Sequence, residues 1–172
     1  MIGDNTISLN EQIRFLRQGQ FVILSKLNAD TSPSWGIMSA QQMVEHLSSL
    51  YLFSVGKIKP PETRNIEHEK KMFKKLIIEQ HPFVKNVKIK GLEKPLPTRF
   101  PSLDVSIDVL NKMVNGFFDL FESNPTLTTW HPLCGDLNKS EWVFIHYKHA
   151  LHHLTQFDLI RECLDPYLYL LL

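Results

Sequence analysis

The sequence has few cysteines, a net charge close to zero and no long apolar run. The two cysteines, Cys134 and Cys163, are too few for a disulfide framework, which suits a reducing cytoplasm. A net charge of +1 provides no global electrostatic argument for binding nucleic acid. The N-terminal MIGDNTISLN has no basic region followed by an apolar run, so it does not resemble a signal peptide. The C-terminal YLYLLL is far too short to span a bilayer, and we expect it to pack on the core or on a partner subunit.

The composition is otherwise that of a globular protein with a full core. Hydrophobic residues make up 43% of the chain and charged residues 22%, and the simplest organisation is a single domain over residues 1–172. Four long stretches show helical periodicity, and no strand pattern is of comparable strength. These stretches are residues 8–27, 39–55, 102–123 and 138–163. We therefore predict an all-α fold, a four-helix bundle with an additional helix in an insert between the second and third core helices.

Three of the four predicted helices begin with a capping box, in which two residues three positions apart satisfy backbone donors of the first turn. The pairs are Ser8 with Glu11, Ser39 with Gln42, and Asn138 with Glu141. Gly19 weakens the first helix or splits it in two. The last helix is predicted to end near Cys163, because Pro166 cannot continue it.

The insert, Lys57 to Pro101, is locally basic. It holds 12 of the 19 Lys and Arg residues and six of the ten prolines, but five acidic residues. Its predicted elements are a helix over residues 63–80 with Ile66, Phe73 and Ile77 inward, a short extended piece at 84–91 and a loop at 95–101.

The basic charge of the insert has more than one interpretation. It is either a solvated excursion from the bundle or a rim that attracts an anionic substrate or partner. Association with nucleic acid through residues 57–99 would predict binding that weakens steeply with salt. Aromatic residues do not interleave the lysines in the way that a stacking surface for single strands would need, so nucleic acid is not the partner we expect.

The helix predicted from Asn138 carries four of the eight histidines and has a polar centre on its inward stripe. The stripe consists of Trp142, His146, His149, His153, Gln156 and Ile160. His149 and His153 are four positions apart, so both imidazoles lie on one face and can bind one metal ion. His46 lies within an apolar stripe of the second helix and is the natural third ligand.

Several neighbours are secondary candidates, each with a structural alternative. His152 can replace His153 as a ligand, and Gln156 can orient a ligand or a bound water. His146 is either a supporting residue of the site or a partly buried packing residue. His131 either closes the site from a loop or anchors a turn. Cys134 is a soft ligand, a nucleophile or a structural residue.

Two further sets of residues receive structural interpretations. Glu45 lies on a different face of its helix from His46, so we do not assign it as a general base. The tryptophans at positions 35, 130 and 142 are core residues or pocket walls.

Four sequence segments resemble the DinB-like superfamily. They are W-G-I-M-S-A-Q-Q-M-V-E-H at 35–46, H-P-L-C-G-D-L at 131–137, E-W at 141–142 and K-H-A-L-H-H-L-T-Q-F at 148–157. The chain is most similar to an uncharacterised branch with W-G-x-M, Q-M-x-x-H and H-x-x-H-H-x-x-Q-F motifs. Better-known relatives have H-R-G-Q where this chain has H-L-T-Q at 153–156, so the histidine and glutamine are kept.

The resemblance implies a four-helix bundle with a divalent metal held by three histidines, one from the second helix and two from the last. Carried over, the ligands are His46, His149 and His153. Several relatives are S-transferases that use bacillithiol or mycothiol. The resemblance therefore implies a small-molecule substrate, a class that includes low-molecular-weight thiols. Three nitrogen ligands suit zinc, nickel or iron and do not choose among them.

Two functions follow as hypotheses. The first is a metal-dependent enzyme, a thiol S-transferase or a hydrolase, in which the ion activates a thiol or a water. The second is a non-catalytic helical module, in which the metal or the histidine cluster is structural, in a homodimer. An open pocket beside His46 and His153 favours the first, and a closed or dry cluster favours the second.

Overall fold

The computed structural model describes residues 7–59, 64–75, 83, 85 and 94–161. In this part of the chain the fold is mostly helical, with one small two-stranded sheet. The elements are α1 (Leu9–Arg14), α2 (Gln20–Leu24), α3 (Ala40–Ser54), α4 (Ile66–Phe73), α5 (Leu103–Ser123), β1 (Thr129–His131), β2 (Gly135–Leu137) and α6 (Lys139–Gln156). None of these helices is long and apolar enough to cross a membrane.

The capping boxes set the starts of three helices as predicted. Side-chain oxygens of Ser8, Ser39 and Asn138 accept hydrogen bonds from the backbone N–H three residues on, over 3.3, 3.2 and 3.1 Å. The Glu or Gln at that third position accepts in return from the backbone of the cap residue. Local hydrogen bonding therefore fixes where α1, α3 and α6 begin.

A π-helical turn over Phe15–Gly19 joins α1 to α2. Gly19 does not separate the two helices, because the chain remains helical through it. A Cβ atom on Gly19 would lie 3.2 Å from Cδ2 of Phe15, which is tighter than ordinary packing. The glycine therefore leaves room for the buried Phe15 ring in the widened turn.

Helix α6 ends at Gln156, not near Cys163 as the sequence suggested. The carbonyl of Gln156 accepts from the Ser34 backbone N–H at 2.7 Å, and the Ser34 hydroxyl donates to the Asp158 carboxylate. Asp158 also takes a left-handed conformation with φ of 53°. Contacts with a distant loop thus stop the helix early, while Cys163, Pro166 and the apolar tail lie outside the described residues.

A β-hairpin corrects the strictly all-α prediction. It lies in the segment predicted as a loop between α5 and α6, and pairs Thr129 with Leu137, Trp130 with Asp136 and His131 with Gly135. Its strands have three residues each, too few for an alternating pattern to be recognised.

The main core lies between α3, α5, α6 and the α1–α2 segment. The side chains with the largest fully buried volume include Trp142, Phe117, Phe118, Phe121, Leu16 and Met43. The inward stripe predicted for α6, from Trp142 to Ile160, is buried throughout. Its polar centre therefore faces protein and not bulk water, which requires partners for each imidazole.

The helix of the basic insert begins later than predicted and is turned differently. Asn65 caps it, and it begins at Ile66, whose side chain is 55% exposed and not inward. Glu69 is buried instead and pairs with Arg64 at 2.8 Å. Phe73 packs against the core as predicted. Residues 76–80, which include Ile77, fall outside the described part, as does most of the extended piece predicted at 84–91.

Glu45 anchors the predicted loop at 95–101 onto α3. Its buried carboxylate accepts from the backbone N–H groups of Arg99 at 2.7 Å and Phe100 at 3.3 Å, and from Gln41 at 3.0 Å. Arg99 also forms an ion pair with it at 3.3 Å. Burial raises the pKa of Glu45, but the bonds from Arg99, Gln41 and Phe100 outweigh burial and hold the pKa below its ordinary value.

Replacing Glu45 with Gln should lower the free energy of unfolding at pH 7 by roughly 1–3 kcal/mol, because charge-assisted hydrogen bonds are lost. A carboxyl with a depressed folded-state pKa stabilises the fold above its unfolded pKa. That stabilisation is lost as pH falls through the lower, folded-state value. Urea titrations at pH 7 and pH 3 should therefore show a wild-type advantage that shrinks at the lower pH. An advantage of equal size at both values would contradict the prediction.

Candidate metal centre

Three histidine side chains converge, and each directs its Nε2 atom towards the others. His149 Nε2 lies 3.0 Å from His46 Nε2 and 3.0 Å from His153 Nε2, and all three atoms lie within 4.8 Å of one another. Tetrahedral bonds of about 2.0–2.1 Å to zinc would place ligand nitrogens roughly 3.3 Å apart. Helix α3 supplies His46, and α6 supplies His149 and His153. The residues implied as ligands by the resemblance therefore meet, and two of the three nitrogen separations are close to that spacing.

The three rings are mutually inclined. Ring planes of His46, His149 and His153 cross at angles from 69° to 81°, with centroids 4.6 to 4.8 Å apart. Lone pairs of three such rings can converge on one point without the rings stacking.

A chain of hydrogen bonds fixes the tautomer of His153. The Trp35 carbonyl can only accept, so the Gln156 Nε2 amide donates to it at 2.7 Å. The amide oxygen of Gln156 then faces His153 Nδ1 at 2.7 Å and must receive its proton. The proton of the neutral ring therefore sits on Nδ1, and Nε2 keeps a lone pair directed at the other histidines.

Gly36 makes this chain of bonds sterically feasible. Its φ is +79°, and a Cβ atom at this position would lie 2.7 Å from Gln156 Nε2. A side chain there would displace the Gln156 amide as well as strain the backbone. The Trp35–Gly36 pair thus holds Gln156, which lies 121 residues away along the chain, and supports His153 through it.

The imidazoles of the triad are held in the neutral form that binds metal. Burial lowers the pKa of His153 to about 3, with the neighbouring His46 adding to the effect. Burial also lowers the pKa of His149 well below its ordinary value, and His153 and His46 contribute. The protein around His46 lowers its pKa as well, chiefly by displacing water, with His152 adding to the effect. At neutral pH, protons therefore do not compete for these nitrogens.

The three histidines of the cluster differ in exposure. His149 and His153 are buried, but His46 is an exposed residue and not the centre of a buried stripe. The buried face of α3 runs instead through Met43, Leu47 and Tyr51. Of the three histidines, His46 is therefore the one that solvent reaches.

His152 and His146 lie outside the cluster. His152 packs edge-on against Trp35 and His153, with ring centroids 5.9 and 5.0 Å away, and so lies beside the cluster and not in it. His146 is fully enclosed, stacked on Tyr51 at 3.7 Å, with Nε2 3.0 Å from the Ser54 hydroxyl. Burial lowers the pKa of His146 well below its usual range. Its surroundings are those of a neutral packing residue.

His131 and Cys134 serve the hairpin. Nδ1 of His131 accepts from the backbone N–H groups of Leu133 and Cys134, each at 3.1 Å, which is the geometry of a turn anchor. Burial lowers the pKa of His131 to about 4. Cys134 is buried, and burial with nearby Glu141 and Glu69 raises its pKa to about 12, so its thiol is a poor nucleophile.

Two residues of the basic insert reach the site without having been predicted there. The Phe83 ring lies 6.2 Å from His149 and 6.0 Å from His152, and Lys85 Nζ lies 4.2 Å from the centroid of Trp35. No local motif marked them, because their position depends on how the insert returns to α6. The basic character of residues 57–101 was the available signal.

Gln156→Met should weaken zinc binding by about 10- to 100-fold, because the ring of His153 loses the acceptor that fixes its tautomer. Competition with a chromophoric chelator would measure the affinity. Thr155→Val, one residue earlier on α6, is the matched control and should bind as the wild type does. Equal affinity in Gln156→Met and wild type would show that the amide does not support the ligand.

Comparisons with known proteins provide a family but no described activity. No curated protein and no solved structure matches the chain. A family model described as "Protein of unknown function (DUF1569)" matches residues 20–159, which include the Trp35–Gly36 pair and all three clustered histidines. The chain therefore belongs to the DUF1569 family.

Proposed function

We propose that this protein is a metal-dependent enzyme whose divalent ion is held by His46, His149 and His153 and activates a thiol or a water. The observation that carries the proposal is the convergence of three Nε2 atoms beside an exposed edge. A structural zinc site has four protein ligands, whereas a catalytic site has three and an open position. Among the described residues, no Cys, Asp or Glu joins the three histidines as a fourth ligand.

The donor set constrains the chemistry. Three neutral imidazoles suit zinc, nickel or ferrous iron and leave the positive charge of the ion uncompensated. A bound ion would lower the pKa of a water or thiol at its open position towards neutrality. Thiol transfer and hydrolysis are therefore the reaction classes we propose.

The chain itself contributes orientation and a partly dry environment. Gln156 holds His153 in the tautomer that presents Nε2, and Trp35 holds Gln156. Phe83 and Trp35 place aromatic rings beside His152, so one wall of the site is apolar. Such a wall limits the access of water to a reacting group while the His46 side admits the substrate.

We also propose a DinB-like four-helix bundle as the architecture. Support comes from the packing of α3, α5, α6 and the α1–α2 segment around one core, and from ligands on α3 and α6. This placement is the one the resemblance implied. Homodimer formation and a cytoplasmic location stay predictions.

A non-catalytic role is the alternative, and one observation favours it. Distances of 3.0 Å between Nε2 atoms also suit direct hydrogen bonds between imidazoles. In that case His149 would donate to a neighbour, and the cluster would serve as a polar core without metal.

Metal analysis separates the two candidates. Purified untagged protein should contain one divalent ion per chain, and the variants His46→Ala and His149→Ala should lose it. His152→Ala, which removes an adjacent histidine outside the cluster, should keep it. Circular dichroism would establish that each variant is folded. Absence of metal from the wild type, even after reconstitution with zinc, nickel and ferrous iron, would overturn the enzyme proposal and favour the histidine core.

Activity should depend on the same residues. Metal-loaded wild type should accelerate either the displacement of chloride from 1-chloro-2,4-dinitrobenzene by a thiol, which releases chloride and a proton, or the hydrolysis of a nitrophenyl ester. Loss of the ion in His46→Ala should cost at least about 100-fold, because a metal supplies several kcal/mol of transition-state stabilisation. The rate of the His152→Ala variant would show whether this neighbouring side chain contributes to activity. Rates in metal-loaded wild type no higher than in His46→Ala for both reactions would contradict these two activities.

A further inference from the structure

Two large apolar residues lie exposed beside the start of α3. Ile37 and Leu96 are 69% and 63% exposed, more than any other large hydrophobic residue among those the structure describes. Gln42 connects their surroundings, because its Oε1 accepts from the Ser39 backbone N–H at 2.9 Å and its Nε2 donates to the Leu96 carbonyl at 3.0 Å. Ile37 precedes Ser39 by two positions. Ile37 and Leu96 therefore belong to one part of the surface, which we call the apolar patch.

The described part of the chain ends close to this patch. Ser34, three positions before Ile37, donates its backbone N–H to the carbonyl of Gln156 at the end of α6, over 2.7 Å. Arg161, the last described residue, lines the same cleft as Ser34. Because consecutive Cα atoms are about 3.8 Å apart, the Cα atom of Ile37 lies within about 11 Å of that of Ser34.

Residues 167–172, which lie outside the described part, are apolar without interruption. Their sequence is YLYLLL and carries no charge. Moving such side chains from water into an apolar contact is favourable. Residues 162–166 separate this segment from Arg161, so an extended linker lets it begin up to about 20 Å from Arg161. The apolar patch therefore falls within its reach.

The short linker favours docking within one chain over docking on a second copy. A segment joined to its binding surface by a short flexible linker acts at an effective concentration in the millimolar range. A second copy would match that only if the protein itself were millimolar. Residues 167–172 of the same chain are therefore the better placed occupant of the patch.

From this juxtaposition we propose that residues 167–172 fold back onto the apolar patch of their own chain and pack on Ile37 and Leu96. The docking does not depend on the proposed function, because neither surface contains one of the three clustered histidines. It has a consequence for that site, however. His46 lies one helical turn beyond Gln42 on α3, so the docked segment would lie beside the exposed ligand of the candidate metal centre.

Photo-crosslinking in the whole chain tests the docking. Benzophenone maleimide would be attached to the single accessible cysteine of Cys163→Ser/Ile37→Cys and of Cys163→Ser/Leu96→Cys. Cys134 is buried and should stay unlabelled, which mass spectrometry would check. After illumination, peptide mapping should find the label of both variants joined to the peptide that contains residues 167–172.

A label at the other end of α3 is the matched control. Ile58 is an exposed apolar residue that follows this end of the helix. With 15 residues, α3 is about 22 Å long, so the label of Cys163→Ser/Ile58→Cys should join residues 167–172 at least about fivefold less often. Equal yields from the labels at positions 37 and 58 would overturn the proposal, as would the absence of residues 167–172 from the products.

Serine substitutions test whether apolar contact drives the docking. Leu170→Ser/Leu171→Ser/Leu172→Ser, added to the variant labelled at position 37, should lower the crosslinking yield at least about fivefold, because the apolar surface of the segment is lost. A yield that survives these substitutions would contradict docking on an apolar patch.

An equal mixture of isotopically light and heavy chains identifies the chain that supplies the segment. Products in which both peptides carry the same isotope would support docking within one chain. Mixed products in the proportion expected for random pairing would overturn it and assign the segment to a second copy. None of these yields requires a metal ion, so a failure of the docking leaves the proposed function standing, and a failure to bind metal leaves the docking standing.

Discussion

The burial of polar imidazoles on one helix face is the constraint on which the rest of the structure depends. A buried polar group without a partner costs about 1–3 kcal/mol, and a buried charge costs more. The stripe of α6 places His146, His149 and His153 inside the protein. Each imidazole is neutral and each has a polar partner, supplied by Ser54 on α3, by another histidine or by Gln156. Packing of α3 against α6 is therefore set by polar pairing as well as by apolar contact.

The same constraint explains why the site is formed by distant segments. Gln156 is satisfied by the Trp35 carbonyl, Gly36 gives its amide room, and Ser34 caps the carbonyl end of α6. A loop near the start of the chain thus ends the last helix and positions a ligand at the same point. The same contacts therefore end the helix at Gln156 and hold the side chains of the site in place.

Local chemistry made part of the fold and site predictable from sequence. The capping residues Ser39 and Asn138 act on backbone groups three positions away, and the spacing of His149 and His153 follows from helix geometry alone. Tertiary contacts decided the remainder. The exposure of His46 depends on how α3 is rotated against α5, and the position of Phe83 depends on the return of the insert. The short hairpin carries too few residues for its pairing to be read from a pattern.

The bond between Trp35 and Gln156 has a consequence for how the protein loses its order. It spans 121 positions of the chain, and His153, which Gln156 orients, also contacts His46 on α3. Any opening that detaches the N-terminal third of the chain from α6 separates the ring nitrogen of His46 from those of His149 and His153, even while α6 itself stays helical. Metal bound to the three histidines would then report that the whole protein is folded. An ion that binds only the assembled form would also shift the folding equilibrium in proportion to the logarithm of its concentration.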